Sequence, residues 1–289
     1  MGWGLSRRLP SATMRSPAHE PLRMTHTALI DWYDTPRWYD MVFDPGTPTE
    51  ADFVMQLAER YGRGPLRSVL EPACGSGRMV VELARRGVRV EGFDLNTHML
   101  AAAQAKLDRL AARGHDLSTR LRVADMRAVP AGPKVDAAHC LVSTFKYILD
   151  EEGALAHLRG VAQRLKPGGI YVLGVHITDY AHPQAAVERW TTQRRGTKVV
   201  CVTRTFPAER RTRTEAVRTR LTVTRGAKTH RQETNWTFRT YSPRQLVRLV
   251  RESGCFGIAG TFDFHHDARV ERELEDGRQD VVLVLKKRE

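Results

Sequence analysis

The stretch Glu71-Pro72-Ala73-Cys74-Gly75-Ser76-Gly77-Arg78 is the part of the chain best suited to hold a ligand. Gly75 and Gly77 carry no Cβ, so backbone there can approach a bound molecule closely. Glu71 puts a carboxylate ahead of the glycines, which suits a cationic ligand end and repels a pyrophosphate. A dinucleotide turn needs Gly-x-Gly-x-x-Gly. Counted from Gly75 its last place falls on Val80, and counted from Ala73 it falls on Arg78, so that pattern is not met. Asp94, with Leu95 beside it, lies 23 positions after Glu71. A carboxylate at that place can accept both ribose hydroxyls of an adenosine. In Ala124-Asp125-Met126 the carboxylate can take a hydrogen bond from an adenine amine while Met126 packs on the ring. Taken singly, each has a plainer reading: a tight turn for the glycines, a helix cap for Asp94, a turn for Asp125.

The elements needed to position these residues are legible around them. Ser68–Glu71, Val88–Asp94, Leu121–Asp125, Val135–Val142 and Ile170–Ile177 read as strands. Helices over Arg78–Arg86 and Thr97–Arg113, and one after Asp150 that ends at Pro167-Gly168-Gly169, alternate with them. That alternation predicts a parallel sheet covered by helices on both faces. Ahead of it, Thr47, Pro48 and Glu50 predict a capped helix whose Phe53, Val54, Leu57 and Tyr61 share a face. Residues 184–241 change period. Lys198–Phe206, Ala216–Arg225 and Thr229–Tyr241 predict antiparallel strands with one wet face. Ser242 and Gln245 open a helix that Gly254 ends, and Phe256–Phe264 and Asp280–Lys286 are the last strands.

Length and charge limit the class of protein. The 289 residues fit one large domain, or one domain with a sizeable insertion. The net charge is +13, and residues 184–241 carry fourteen Lys and Arg against four acidic residues. Such a segment suits an anionic partner or is a solvated face. No apolar run approaches the ~18 residues of a membrane span. Cys74, Cys140, Cys201 and Cys255 are scattered, which fits no structural zinc and suits a reduced, cytoplasmic setting. Residues 1–25 read as a disordered extension, 26–64 as an aromatic N-terminal lid, 65–183 with 242–289 as the ligand-binding domain, and 184–241 as an inserted β lid.

Together these residues resemble the class I S-adenosylmethionine-dependent methyltransferases. Glu71-x-Ala73-x-Gly75-x-Gly77, Asp94, Asp125 and Pro167-Gly168-Gly169 match that family's pattern in order and spacing, with Ala73 in place of its first glycine. The resemblance implies a Rossmann-like seven-stranded α/β sheet whose last strand is antiparallel, with the antiparallel insertion after the fifth strand. It implies S-adenosyl-L-methionine as cofactor. Ala73, Cys74, Gly75 and Gly77 would cradle its methionine part, with Glu71 near the ammonium. Asp94 and Leu95 would lie at the ribose, and Asp125 and Met126 at the adenine.

The acceptor is less legible. His176, at the end of the fifth strand, is the candidate base, and His139 reads as buried. Ser143, Thr144, Phe145 and Tyr147 follow the fourth strand, where acceptor contacts lie in the family. Tyr33, Trp38 and Tyr39 are a candidate lid able to attract a sulfonium or an amine. The insertion resembles the lids of small-molecule N- and O-methyltransferases, including sugar N-methyltransferases, which cover the acceptor and pair subunits. Its arginines could hold an anionic handle on that acceptor. Two other readings stay open: an RNA methyltransferase that grips phosphates with the insertion, and a non-catalytic module that keeps the fold.

Overall fold

The computed structural model describes residues 28–29, 31–275 and 280–289. The extension expected over residues 1–25 lies outside them. Seven strands form the main sheet: β2 (Ser68–Pro72), β3 (Arg89–Asp94), β4 (Thr119–Val123), β5 (Val135–Cys140), β6 (Leu165–His176), β11 (Phe256–Phe262) and β12 (Asp280–Lys287). Their order is β11-β12-β6-β5-β2-β3-β4. The pairs β2–β3, β2–β5, β3–β4 and β5–β6 are parallel, and β12 runs antiparallel to both β6 and β11. The carboxyl ends of β2, β3 and β5 therefore meet at one edge, where open α/β sheets bind ligands.

Both faces are covered. On one side α2 (Thr47–Tyr61), α3 (Arg78–Arg85) and α4 (Thr97–Ala111) bury Phe53, Leu57, Met79, Leu83 and Leu107 against Val69, Val90 and Val172. On the other, α5 (Glu151–Arg164) and α6 (Pro243–Ser253) bury Leu158, Val161, Leu246 and Leu249 against Tyr171, Leu173 and Leu283. Such strands, buried on both faces, read as near-continuous apolar runs, as Val281–Leu285 do.

The helix ends show where local signals held. Asn96, Asp150 and Ser242 each cap a helix through the side chain, and Ser242 with Gln245 makes the full capping box. Gly254 ends α6 at φ +71. The box expected at Thr47 and Glu50 does not form, because Glu50 turns to Arg78 instead. Nor does Pro167-Gly168-Gly169 end a helix: α5 stops at Arg164 and β6 already begins at Leu165. The third strand ends at Val123, which leaves Asp125 in the turn beyond it.

The second sheet is built from β7 (Ala186–Arg194), β8 (Thr197–Thr205), β9 (Thr214–Arg225) and β10 (Lys228–Arg239), with β1 (Ala28–Leu29) parallel to β10. Strand β7 was not expected. It is an edge strand, exposed along much of its length, so it lacks a buried alternation to betray it. The leader runs through a short 3-10 turn, Trp32–Asp34, into α1 (Pro36–Phe43). Its Trp32 packs with Val199, Cys201, Leu221 and Val223 of the insertion in a separate small core, joined by Tyr33, Tyr39, Phe43 and Trp236.

Candidate active site

The loop after β2 takes left-handed backbone at Ala73 (φ +53), Gly75 (φ +54) and Gly77 (φ +71). A Cβ at Gly77 would lie 2.6 Å from the Ala103 Cβ, so this glycine lets α3 pack on α4. A Cβ at Gly75 would meet nothing within 4 Å, so this glycine opens onto the cleft. Ala73 adopts the same backbone without the freedom of a glycine and carries local strain of ~1–2 kcal/mol. Asp94 holds the loop from below. Its carboxylate accepts the Gly75 N–H at 2.7 Å and the Asn96 N–H at 2.8 Å. Burial, opposed by those N–H groups, raises its pKa above the ordinary value.

Glu71, Ala73, Cys74, Gly75, Ser76, Arg78, His139, Leu141, Val142 and Thr144 surround the cleft, with Tyr39 over it. Glu71 is only 8% exposed, and its Oε2 has no hydrogen-bond partner among the described residues. Burial pushes its pKa up to about 8, against the pull of Arg78. The Arg78 guanidinium is committed elsewhere, to both Glu50 oxygens at 2.7 and 2.6 Å. The Cys74 side chain turns away beneath Gly92, where an added Cβ would sit 2.9 Å from its Sγ. Only its backbone belongs to the loop, and burial raises its thiol pKa far above the ordinary range.

The turn after β4 adds an ion pair to the expected adenine end. Asp125 is already occupied by Arg127, which donates from its backbone N at 2.8 Å, from Nε at 3.0 Å and from Nη2 at 2.6 Å. That hydrogen bonding lowers the Asp125 pKa. Met126 is 8% exposed and belongs to the core cluster that also holds Leu158 and Val161 of α5. Leu95, 63% exposed next to Asp94, is the open apolar side chain there.

The leader is tied to this loop. Asp40 accepts from Ser76 Oγ at 2.5 Å and pairs with Lys106 at 2.8 Å, while Asp34 accepts from Asn96 Nδ2 at 2.9 Å. Tyr33 and Tyr147, 114 residues apart, share a hydroxyl–hydroxyl bond of 2.8 Å. Trp236 stacks on Tyr33 at 5.9 Å and Phe238 meets Tyr147 edge-on at 4.8 Å. Burial raises both phenol pKa values well above the ordinary one, so both tyrosines are neutral hydrogen-bonding groups. Trp236 Nε1 is buried without a partner beside them. Trp38, expected in the lid, packs on His230 instead, at 5.1 Å. Of the residues after β5, Thr144 lines the cleft, while Phe145 is wholly buried in the core.

His176 stands apart from the cleft lining. Its Nδ1 is 2.7 Å from Asp280 Oδ1 and its ring packs on Phe264 at 5.0 Å. Three arginines of the insertion also face elsewhere. Arg204 and Arg218, cross-strand partners, both cover the Phe206 ring, and Arg220 pairs with Glu233. They alternate with Thr203, Thr219 and Leu221, which lie on the inner face, so these side chains point outward. These three side chains therefore do not reach over the cleft. Trp236, Phe238 and the Arg78–Glu50 pair were missed in the sequence. Only the aromatic alternation Trp236-x-Phe238 hinted at the first two.

Among the described residues no group of three or more His, Cys, Asp or Glu side chains is placed to hold a metal ion, and no helix is long and apolar enough to cross a membrane. The expected cofactor fits the side chains present. The unpartnered Glu71 oxygen suits an ammonium, the open backbone at Gly75 suits close approach, and exposed Leu95 suits an apolar ring.

Comparison with known proteins agrees. Residues 69–169 match the family described as "Methyltransferase domain". A Geobacillus sp. (strain WCH70) protein named as a methyltransferase is 29% identical over 143 residues, 49% of this chain and 56% of that protein. The chain spans about half the length of the curated relatives it matches. The structure of Streptomyces venezuelae DesVI superposes with a TM-score of 0.70 at 18% identity, covering 88% of this chain and 98% of that one. The sugar N-methyltransferase KedS8 from Streptoalloteichus sp. superposes at 0.64 with 18% identity, over 96% and 98%. At these identities the likeness establishes the fold.

Proposed function

We propose that this chain, built on the sheet of the class I S-adenosylmethionine-dependent methyltransferases with residues 69–169 as its methyltransferase domain, transfers a methyl group to the amine nitrogen of a small-molecule acceptor. The observation that carries the reading is an aromatic cluster that reaches the cleft through Tyr39, whose ring lies 5.8 Å from that of Tyr33. There the paired hydroxyls of Tyr33 and Tyr147 are ringed by Trp236 and Phe238. Aromatic faces attract an amine in its cationic form and the positive charge that develops on nitrogen as it is methylated. The sugar N-methyltransferase and glycopeptide N-methyltransferases among the structural neighbours support nitrogen as the target.

When bound, S-adenosylmethionine supplies a methyl group on an electrophilic sulfonium. The protein's task is then mainly alignment, bringing the nucleophile to about 3–3.5 Å. Glu71 and the Ala73–Gly77 backbone hold the amino-acid end, and Asp94 with Leu95 holds the adenosine. Tyr33 and Tyr147 position the acceptor nitrogen by hydrogen bonds. Because both phenols stay protonated, neither removes a proton. The proton lost from the amine leaves to solvent, and His176, held by Asp280 outside the cleft lining, is the group we assign to take it up from there.

The test is calorimetric titration with S-adenosylmethionine and its demethylated product, with NADH as control. Methyl transfer to amines, alcohols, carboxylates and RNA of matched concentration follows. Binding of the first two alone, with transfer to amines, is expected. Transfer to RNA would move the reading to an RNA enzyme that uses the outward arginines. Binding without transfer to any class would leave a non-catalytic module.

A further inference from the structure

Among the described residues, Glu71 Oε2 and His139 Nε2 are both buried without a hydrogen-bond partner, and they face each other across 3.8 Å at the cleft. His139 is 1% exposed. Burial, aided by the neighbouring Arg78 charge, drives its pKa down to about 3, so its ring is neutral. The charged groups facing Glu71 are Arg78 on α3, Glu50 on α2 and Asp94 at the end of β3. Arg78 is satisfied by Glu50, so Glu71 has no cation of its own. A buried carboxyl in this position keeps its proton until a cation arrives.

We propose that Glu71 and His139 form a proton-exchange seat, in which the cofactor's ammonium displaces the Glu71 proton to solvent and the neutral His139 ring steadies the carboxylate so formed. The inference rests on the methyltransferase reading. The balance is simple. A carboxylic acid and an ammonium become a carboxylate–ammonium pair, one proton leaves to bulk water, and no bond to carbon changes. His139 acts through Glu71 and is a positioning residue.

The experiment is calorimetry of the full chain with S-adenosylhomocysteine at pH 6, 7, 8 and 9, in buffers of different ionisation enthalpy. With Glu71 titrating near 8, affinity rises roughly 50-fold from pH 6 to 8 and about one proton is released per ligand at pH 7. Glu71→Gln, which retains only the ligand's own titration, loses both effects. His139→Leu binds about tenfold more weakly at pH 7 and recovers by pH 9, whereas His139→Gln stays within about threefold of the parent at pH 7. Affinity that is flat from pH 6 to 8, or proton release that survives in Glu71→Gln, overturns the seat and leaves the cofactor reading standing. Absence of binding at every pH overturns both.

Discussion

Substituting alanine separately at Gly75 and Gly77 tests whether the loop after β2 serves packing at one glycine and a ligand at the other. Both residues have positive φ, so each alanine incurs ~1–2 kcal/mol of left-handed strain. Each also loses ~0.4–1 kcal/mol of that through a less flexible unfolded chain. At Gly75 nothing more is added, because its new methyl meets no atom within 4 Å. The net loss there is about 1 kcal/mol. At Gly77 the methyl would sit 2.6 Å from Ala103 Cβ and 3.3 Å from its Cα, forcing α3 from α4. Overpacking of this kind adds ~1–3 kcal/mol, for a total of about 2–4. With a urea m-value on the order of 3 kcal/mol/M, the unfolding midpoint falls by about 1 M in Gly77→Ala and by about 0.3 M in Gly75→Ala. Cofactor affinity should reverse the ranking. Gly75→Ala fills space the ligand needs and weakens binding at least tenfold, about 1.4 kcal/mol, while folded Gly77→Ala binds within about threefold of the parent. Wild-type affinity in Gly75→Ala would refute the cradle. Wild-type stability in Gly77→Ala would refute the close helix contact.

Replacing Lys146 with Met strands the Glu215 carboxylate, to which it is bonded at 2.6 Å in the interior, and should destabilise the protein by ~3–5 kcal/mol in urea unfolding; Lys146→Met with Glu215→Leu should recover most of the loss. Tyr33→Phe and Tyr147→Phe each remove one partner of a single hydroxyl pair, so their effects on methyl-transfer kcat should be clearly non-additive in a double-mutant cycle. The ligand-free chain should lose stability as pH rises from about 5 to 8, because folded Glu71, with its raised pKa, retains a proton that the unfolded chain releases near its ordinary value of 4.5. The expected fall is on the order of 2–5 kcal/mol at about 1.4 kcal/mol per pH unit, and urea midpoints of Glu71→Gln should lack it.

Local chemistry told most where the partner lies close in sequence. Asp94 reaches Gly75 because neighbouring parallel strands end at one edge, and alternation alone implies that geometry. Ser242 and Gln245 cap α6 because no charged group takes either side chain, whereas Glu50 was misread because Arg78, 28 residues away, outbids a backbone N–H. At Asp125 a close neighbour adds a contact that the strand pattern does not show: Arg127, two residues on, binds its carboxylate. Tyr33 and Tyr147 were picked out singly, but their contact with each other and with Trp236 depends on how the insertion folds back over the leader, and no short-range pattern records that. His176 was legible as a histidine at a strand end, but its pairing with Asp280 of β12, more than a hundred residues away, was not.

The parallel bridge between β1 and β10 sets a timetable for the protein during its synthesis. Ala28 pairs with Gln232, so the leader waits on the ribosome for about 200 residues, roughly 10–40 s at 5–20 residues per second, before its partner strand exists. Through that interval the glycine loop can form, but Trp32 and Tyr33 have no Val223 or Trp236 to rest on. The aromatic cluster is therefore among the last parts of the molecule to assemble. A chain cut short before β10 would carry most of a cofactor fold with nothing to close over it.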